Sequence, residues 1–267
     1  MRLDVFRREL ADHRNMAIGC GIGALALACM YIFFYPTIKS SGAGVQQLLN
    51  TLPKGFQAAF LGGVDYLSPD GYLGTEFFSI LLPALMLVMA VLSGSRALAA
   101  EERNGTIDLL LSTPVRRRTL ALQKAAGALL PLLGVAAAIW VVVLVLGPSQ
   151  QLTVSPGGLA VALVAVVLMA AGFGMLAFLV SSATGSAAVG GGSAAALAVA
   201  MYALNIFGSL VSGLTGFADA VSPFHWVGGA GALANGVSWS GLLLLIVCPI
   251  VLLGAALVAY ERRDLTA

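Results

Sequence analysis

AAGALLPLLGVAAAIWVVVLVL, residues 125–146, begins a run of 94 residues, Ala125 through Ala218, without a single Asp, Glu, Lys or Arg. Water is a poor solvent for such a run, and about 20 helical residues suffice to cross the roughly 30 Å hydrocarbon core of a bilayer. The run therefore has to cross more than once. It is interrupted by GPSQQ at 147–151 and by SSATGS at 181–186, both rich in turn formers, which leaves helices over 125–146, 157–180 and 187–211.

Outward from that run, a second uncharged stretch from Ala220 to Tyr260 holds a helix over 239–260. Toward the N-terminus, the 19 uncharged residues from Phe77 to Ser95 predict a crossing over 76–94. A first crossing is expected over 15–35, closed by Pro36. Met16 to Tyr35 is as long as a full span and ends without a small-x-small cleavage site, so it reads as a helix and not as a secretory signal. The expected fold class is all-α, a polytopic membrane protein with six transmembrane helices in a single domain over 1–267. Composition agrees: of 267 residues 10% are charged, where a soluble globule carries about 25%. A net charge of +2 is too small to suggest nucleic-acid binding. Cys20, Cys29 and Cys248 have neither disulfide nor metal-ligand spacing.

The few charges report orientation. Of the 14 basic residues, 12 fall in three patches. Arg2, Arg7, Arg8 and Arg14 precede the first helix; Arg96, Arg103, Arg116, Arg117, Arg118 and Lys124 lie between the second and third; Arg262 and Arg263 follow the sixth. The opposite faces hold Lys39 and Lys54, with Asp65, Asp70 and Asp219. The positive-inside rule then places both termini and the 96–124 loop in the cytoplasm. Outside, the 37–75 segment is rich in Gly and Pro, and Val45, Leu48, Leu49, Leu52 and Phe56 predict one short amphipathic helix on the membrane surface. Over 212–236, Pro223-Phe224-His225-Trp226 followed by Gly228-Gly229 predicts a broken or re-entrant helix.

The 96–124 loop has internal order. Glu101-Glu102-Arg103-Asn104-Gly105-Thr106-Ile107-Asp108-Leu109-Leu110-Leu111-Ser112-Thr113-Pro114 presents carboxylates, a glycine turn and a threonine able to cap a short helix that proline ends. From the residues alone two readings stand. One is an amphipathic lever whose apolar side chains enter a partner's groove while its carboxylates orient the contact. The other is a solvated linker helix, with Arg116 to Arg118 as a topology anchor.

That stretch, continued by Val115-Arg116-Arg117 and Gln123-Lys124, resembles the signature loop of the type-2 ABC exporter permeases. Phe6-Arg7-Arg8-Glu9-Leu10, Ser222-Pro223-Phe224-His225 and the terminal Tyr260-Glu261-Arg262-Arg263-Asp264-Leu265 extend the resemblance over nearly the whole chain. It implies the permease subunit of an ATP-driven exporter in a prokaryotic cytoplasmic membrane, paired with a second permease as a homo- or heterodimer. ATP and Mg would belong to separate cytoplasmic ABC ATP-binding subunits, with no cofactor and no catalytic residue in this chain. Gly190-Gly191-Gly192-Ser193 lacks the lysine of a phosphate loop and reads as a packing feature.

Carried onto this sequence, the resemblance assigns Glu101, Glu102, Gly105, Thr106, Asp108, Leu109, Leu110 and Leu111 to contact with the ATPase. It also implies an elbow helix over 1–14 with Phe6, Arg7, Arg8 and Leu10, whose arginines are available to lipid headgroups or the ATPase. The 37–75 segment exceeds the minimal version of such a permease, which leaves an added external role or a substrate gate open.

Four polar or aromatic residues are candidates for a translocation path or gate. Glu76, at the expected start of the second span, either caps that helix or meets substrate or a cation. Asn205 lies within the fifth span, where an amide joins helices or lines the path. His225 has no second ligand at metal spacing and reads as a local hydrogen-bonding residue. Tyr202, like Trp226, lines a route or sits in the interfacial belt. Pro83 and Pro131 are expected to kink the helices on either side of the loop. The competing functional readings are a secondary transporter, which would require charged or paired polar groups at the membrane midplane, and an assembly or scaffold protein with no ATPase partner.

Overall fold

Without water, backbone N–H and C=O groups must find partners within their own segment, which makes the helix the economical way to cross a bilayer. The computed structural model describes residues 4–51, 63–99, 117–211 and 213–262. Six helices there are long and apolar enough to span a membrane, so the chain is an all-α integral membrane protein.

The first, α1 (Asp4–Ser40), has 37 residues, about 55 Å of helix. It corrects two expected boundaries. Residues 4–14 are helical but continue directly into the span instead of forming a separate elbow, since neither Gly nor Pro interrupts them. The helix also passes through Pro36: the terminal turn is tied down by the Tyr35 hydroxyl, which donates to the Leu67 carbonyl at 2.9 Å, and by Lys39 Nζ, which donates to Gln151 Oε1 at 3.2 Å. A short α2 (Gly42–Thr51) follows; it carries Val45, Leu48 and Leu49 of the expected surface helix, while Leu52 and Phe56 lie outside the described residues.

The second span begins at Pro69, one to two turns before the expected residue 76. Ser68 caps α3 (Pro69–Leu73) by accepting from the Gly71 amide at 3.1 Å, with proline at the favoured first helical position. The helix then widens to a π-helical stretch (Gly74–Leu81) and tightens again as α4 (Leu82–Arg96). Pro83, expected as a kink, stands at that change of pitch.

The third span, α5 (Arg117–Leu146), starts eight residues before the expected 125, so Arg118 and Lys124 are helical. Ser155 caps α6 (Pro156–Thr184), and Gly185, at φ 71°, takes the left-handed conformation that ends it. Ser186 then caps α7 (Ala187–Leu210). Residues 213–236 form short elements, α8 (Thr215–Val221), α9 (Pro223–Val227) and a 3-10 turn (Gly229–Gly231). The last span is α10 (Trp239–Arg262).

The bundle is built around α6, which packs against α4, α5, α7 and α10. Within its most apolar window 72% of residues are buried, against 11% for both α7 and α10, which places α6 at the centre and those two helices at the periphery. Small residues allow the close fit: a Cβ on Gly94 of α4 would lie 2.1 Å from the Gly174 carbonyl of α6, and one on Gly190 would lie 2.6 Å from the Ala177 carbonyl. In the glycine run at 190–192, Gly190 and Gly191 face neighbouring helices, while a Cβ on Gly192 would meet nothing within 4 Å. α1 and α5 run parallel, from Glu9 beside Lys124 through Gly21 against Val135, and the last turn of α1 meets Gln151, beyond the end of α5, through Lys39.

Candidate functional site

At the end of the bundle that carries both chain termini, the two stems of the 96–124 loop share one apolar core. Ala97 and Leu98 follow α4, Ala121 and Ala125 belong to α5, and Phe178 of α6 and Tyr260 of α10 close the cluster. Leu98, Phe178 and Tyr260 are fully buried. The loop therefore emerges from a packed base that also holds the central helix and the last one.

Charges fasten the α5 stem on two sides. Lys124 Nζ donates to Glu9 Oε2, and His13 Nε2 donates to the other oxygen, Glu9 Oε1, at 2.9 Å. Glu9 is 2% exposed, Lys124 3% and His13 8%, so this is a buried network that joins α1 to α5. Taking such charges out of water is costly unless each is paired, and here both carboxylate oxygens are occupied. One α-helical turn and a half earlier, Arg118 grips Glu261 of α10 with two hydrogen bonds, Nη2 to Oε2 at 2.8 Å and Nε to Oε1. That second pair is open to solvent and correspondingly weaker.

The opposite end is aromatic. Tyr35 and Tyr72 have ring centroids 5.3 Å apart, Tyr66 and Tyr72 5.9 Å, and Tyr31 lies 6.0 Å from Phe77. Glu76 projects from the π-helical stretch into this group and accepts from the Tyr66 hydroxyl at 2.6 Å. Burial, reinforced by that bond, pushes the Tyr66 phenol above its ordinary range. The expected cap at Glu76 is corrected: Ser68 is the cap, and the carboxylate is held well inside the helix by a tyrosine. A Cβ on Gly74 would fall 2.0 Å from the Ala230 carbonyl, so the π-helical stretch rests directly against the 229–231 turn.

His225 also has a partner, Asp219 Oδ1, 3.1 Å from Nδ1, and the Trp226 indole donates to the Asp219 carbonyl at 3.1 Å. Together these bonds fold α9 back on α8. Ser222 donates to the Met201 carbonyl at 3.1 Å and fastens the pair to α7. Tyr202 packs edge-on against Phe224, with centroids 5.2 Å apart. Asn205, on the same helix, is half-buried and has no hydrogen-bond partner among the described residues. Beside these elements an apolar cavity of about 230 Å³ is lined by Met169, Phe173, Leu197, Met201, Trp226 and Cys248. The four path candidates do not converge. Glu76 belongs to the aromatic group, whereas Tyr202, Asn205 and His225 lie on or against α7 and its neighbours.

Glu101, Glu102, Gly105, Thr106, Asp108, Leu109, Leu110 and Leu111 lie outside the described residues, as do the side chains of Phe6, Arg7 and Arg8. Leu10 lies beside Glu9 on α1 and is partly buried. Among the described residues no group of three His, Cys, Asp or Glu is placed to hold a metal ion. The family described as ABC-2 family transporter protein matches residues 3–265. The chain belongs to that family. No match to it was found among curated proteins. Membership makes this all-helical chain a membrane-embedded permease-type transport protein, of a family whose members generally pair with ATPase subunits and form dimers.

The sequence reading missed the Glu9–His13–Lys124 network. Its one local signal is the spacing of Glu9 and His13, four apart on a helix and hence on one face. Lys124, 115 residues further on, carries no such signal.

Proposed function

We propose that this chain is the permease subunit of an ATP-driven exporter, and that its 96–124 loop receives the conformational push from a separate ABC ATP-binding subunit. Family membership supports the class of partner. The observation that carries the coupling assignment is the construction of the loop's base, where both stems enter one core with α6 and α10 and the α5 stem is tied by charge to α1 and α10. Displacement of that loop reaches α1, α6 and α10 through packed or hydrogen-bonded contacts. Glu101, Glu102 and Asp108 orient the contact, Leu109 to Leu111 enter the ATPase groove, and Gly105 supplies the turn. In this arrangement both termini face the cytoplasm, as the basic patches require.

A second permease completes the unit. α7 is poorly covered within this chain, and the half-buried Asn205 amide on it would find a partner across a dimer interface. The adjoining cavity is lined by apolar side chains, which favours cargo with an apolar moiety. A secondary transporter is the less supported reading, because the run from 125 to 218 offers no ionisable Asp, Glu, Lys or Arg.

The test is the doubly substituted Glu102→Arg, Gly105→Pro chain, reconstituted with its ATPase subunit in lipid. Hydrolysis coupled to transport is expected to be lost while the permease keeps its wild-type melting temperature. Unchanged complex formation together with unchanged stimulation would remove the coupling assignment.

A further inference from the structure

Arg14 is the first charge flanking the uncharged stretch of α1 from Asn15 to Ile38, and so stands where the helix leaves hydrocarbon for the headgroup layer. It is exposed and, unlike Lys124 and Arg118, has no ion-pair partner among the described residues. Beside it a groove of about 370 Å³ opens between α1 and α5, with Ala17 and Ile18 on one wall and Leu130, Pro131 and Gly134 on the other. The floor is open at Gly134, where an added Cβ would meet nothing within 4 Å. Because α1 and α5 run parallel, with Glu9 beside Lys124 and Gly21 against Val135, the groove descends from Arg14 into the bilayer. A cation at headgroup level above an apolar slot matches a phosphate with an acyl chain below it.

We propose that this groove binds an anionic phospholipid of the leaflet bordering the N-terminal end. The phosphate rests on the Arg14 guanidinium, and the upper part of one acyl chain lies along Ala17, Ile18, Leu130 and Gly134. A zwitterionic lipid brings the same tail but a phosphate already balanced by its own ammonium, so net charge sets the preference. The site involves neither the 96–124 loop nor an ATPase, and it stands or falls separately from the coupling assignment.

Native mass spectrometry of the purified full chain, exchanged into nanodiscs of phosphatidylcholine with phosphatidylglycerol, reads retained lipid directly. The wild type is expected to keep phosphatidylglycerol over phosphatidylcholine by about five-fold, the worth of one interfacial cation. Arg14→Gln removes that preference and Arg14→Lys retains it. Gly134→Leu, whose Cβ has open space and whose side chain adds bulk to the slot, lowers retention of both lipids. Arg262→Gln, an exposed cation outside the groove, changes nothing. Equal retention of the two lipids by the wild type overturns the proposal. So does a preference that survives Arg14→Gln, retention untouched by Gly134→Leu, or an equal loss in Arg262→Gln, each in protein that melts as the wild type does.

Discussion

The two ends of this bundle are held by different physics. At the end with the chain termini, buried charges join α1 to α5 through Glu9, His13 and Lys124, and Arg118 joins α5 to α10. At the other end, tyrosine and phenylalanine rings pack α1 against α3 and the π-helical stretch, with hydrogen bonds such as Tyr66 to Glu76 and Tyr35 to the Leu67 carbonyl among them. Ion pairs with fixed partners define one arrangement and resist small displacements. Aromatic faces tolerate sliding at modest cost. A permease of the proposed kind needs both properties, a stiff link where the push arrives and a yielding seam where the far side opens.

The largest effect should come from breaking the stiff end. Lys124→Met leaves the Glu9 carboxylate buried without its cation and is expected to cost about 3–5 kcal/mol. The double variant Glu9→Gln, Lys124→Met should recover much of that loss, as read by thermal unfolding in detergent. Equal losses in the single and double variants would show that the charges are not coupled. Next in size is Tyr66→Phe, which removes a donor to a carboxylate and should cost about 1.5–3 kcal/mol. Glu76→Gln, which keeps an acceptor, should cost less than Tyr66→Phe, and the reverse order would deny the bond its role.

A smaller effect separates buried from exposed charge at the same end. Arg118→Gln should lower the melting temperature only at low salt, since its partner Glu261 is reached by solvent, whereas the Lys124→Met deficit should persist as salt is raised. The smallest is a pH dependence at the aromatic end. A phenol raised in the folded state contributes stability that is fully present below its unfolded value and is lost as pH rises through the folded one. The melting-temperature gap between wild type and Tyr66→Phe should therefore narrow as the pH climbs past the ordinary tyrosine range. A gap that widens would contradict the direction.

Much of this architecture was legible from charge and turn chemistry. The sequence marks the breaks by GPSQQ at 147–151 and SSATGS at 181–186; α6 runs from Pro156 to Thr184, past the expected residue 180, because the left-handed turn that ends it comes only at Gly185. The start of the second span was misplaced for an instructive reason. Glu76 looked like a boundary because a lone carboxylate belongs at the membrane edge, but a tyrosine ten residues earlier satisfies it inside the helix. Pro36 misled in the same way, since contacts from Tyr35 and Lys39 to distant segments hold the turn that proline weakens. The charge network at the terminal end depends on a register between α1 and α5 that a single sequence does not display. Each path candidate is a single polar or aromatic residue in sequence, and the fold sends Glu76 to a different neighbourhood from Tyr202, Asn205 and His225.

Coupling through the 96–124 loop requires an ATP-binding subunit in contact with it. A photoreactive amino acid placed at Leu110 in the full chain, activated in native membranes and followed by mass spectrometry of the cross-linked product, reads that contact. An ABC ATP-binding subunit is the expected cross-linked partner, with the product lost in the Glu102→Arg, Gly105→Pro background. A folded, membrane-inserted chain that cross-links to no ATP-binding protein would contradict it.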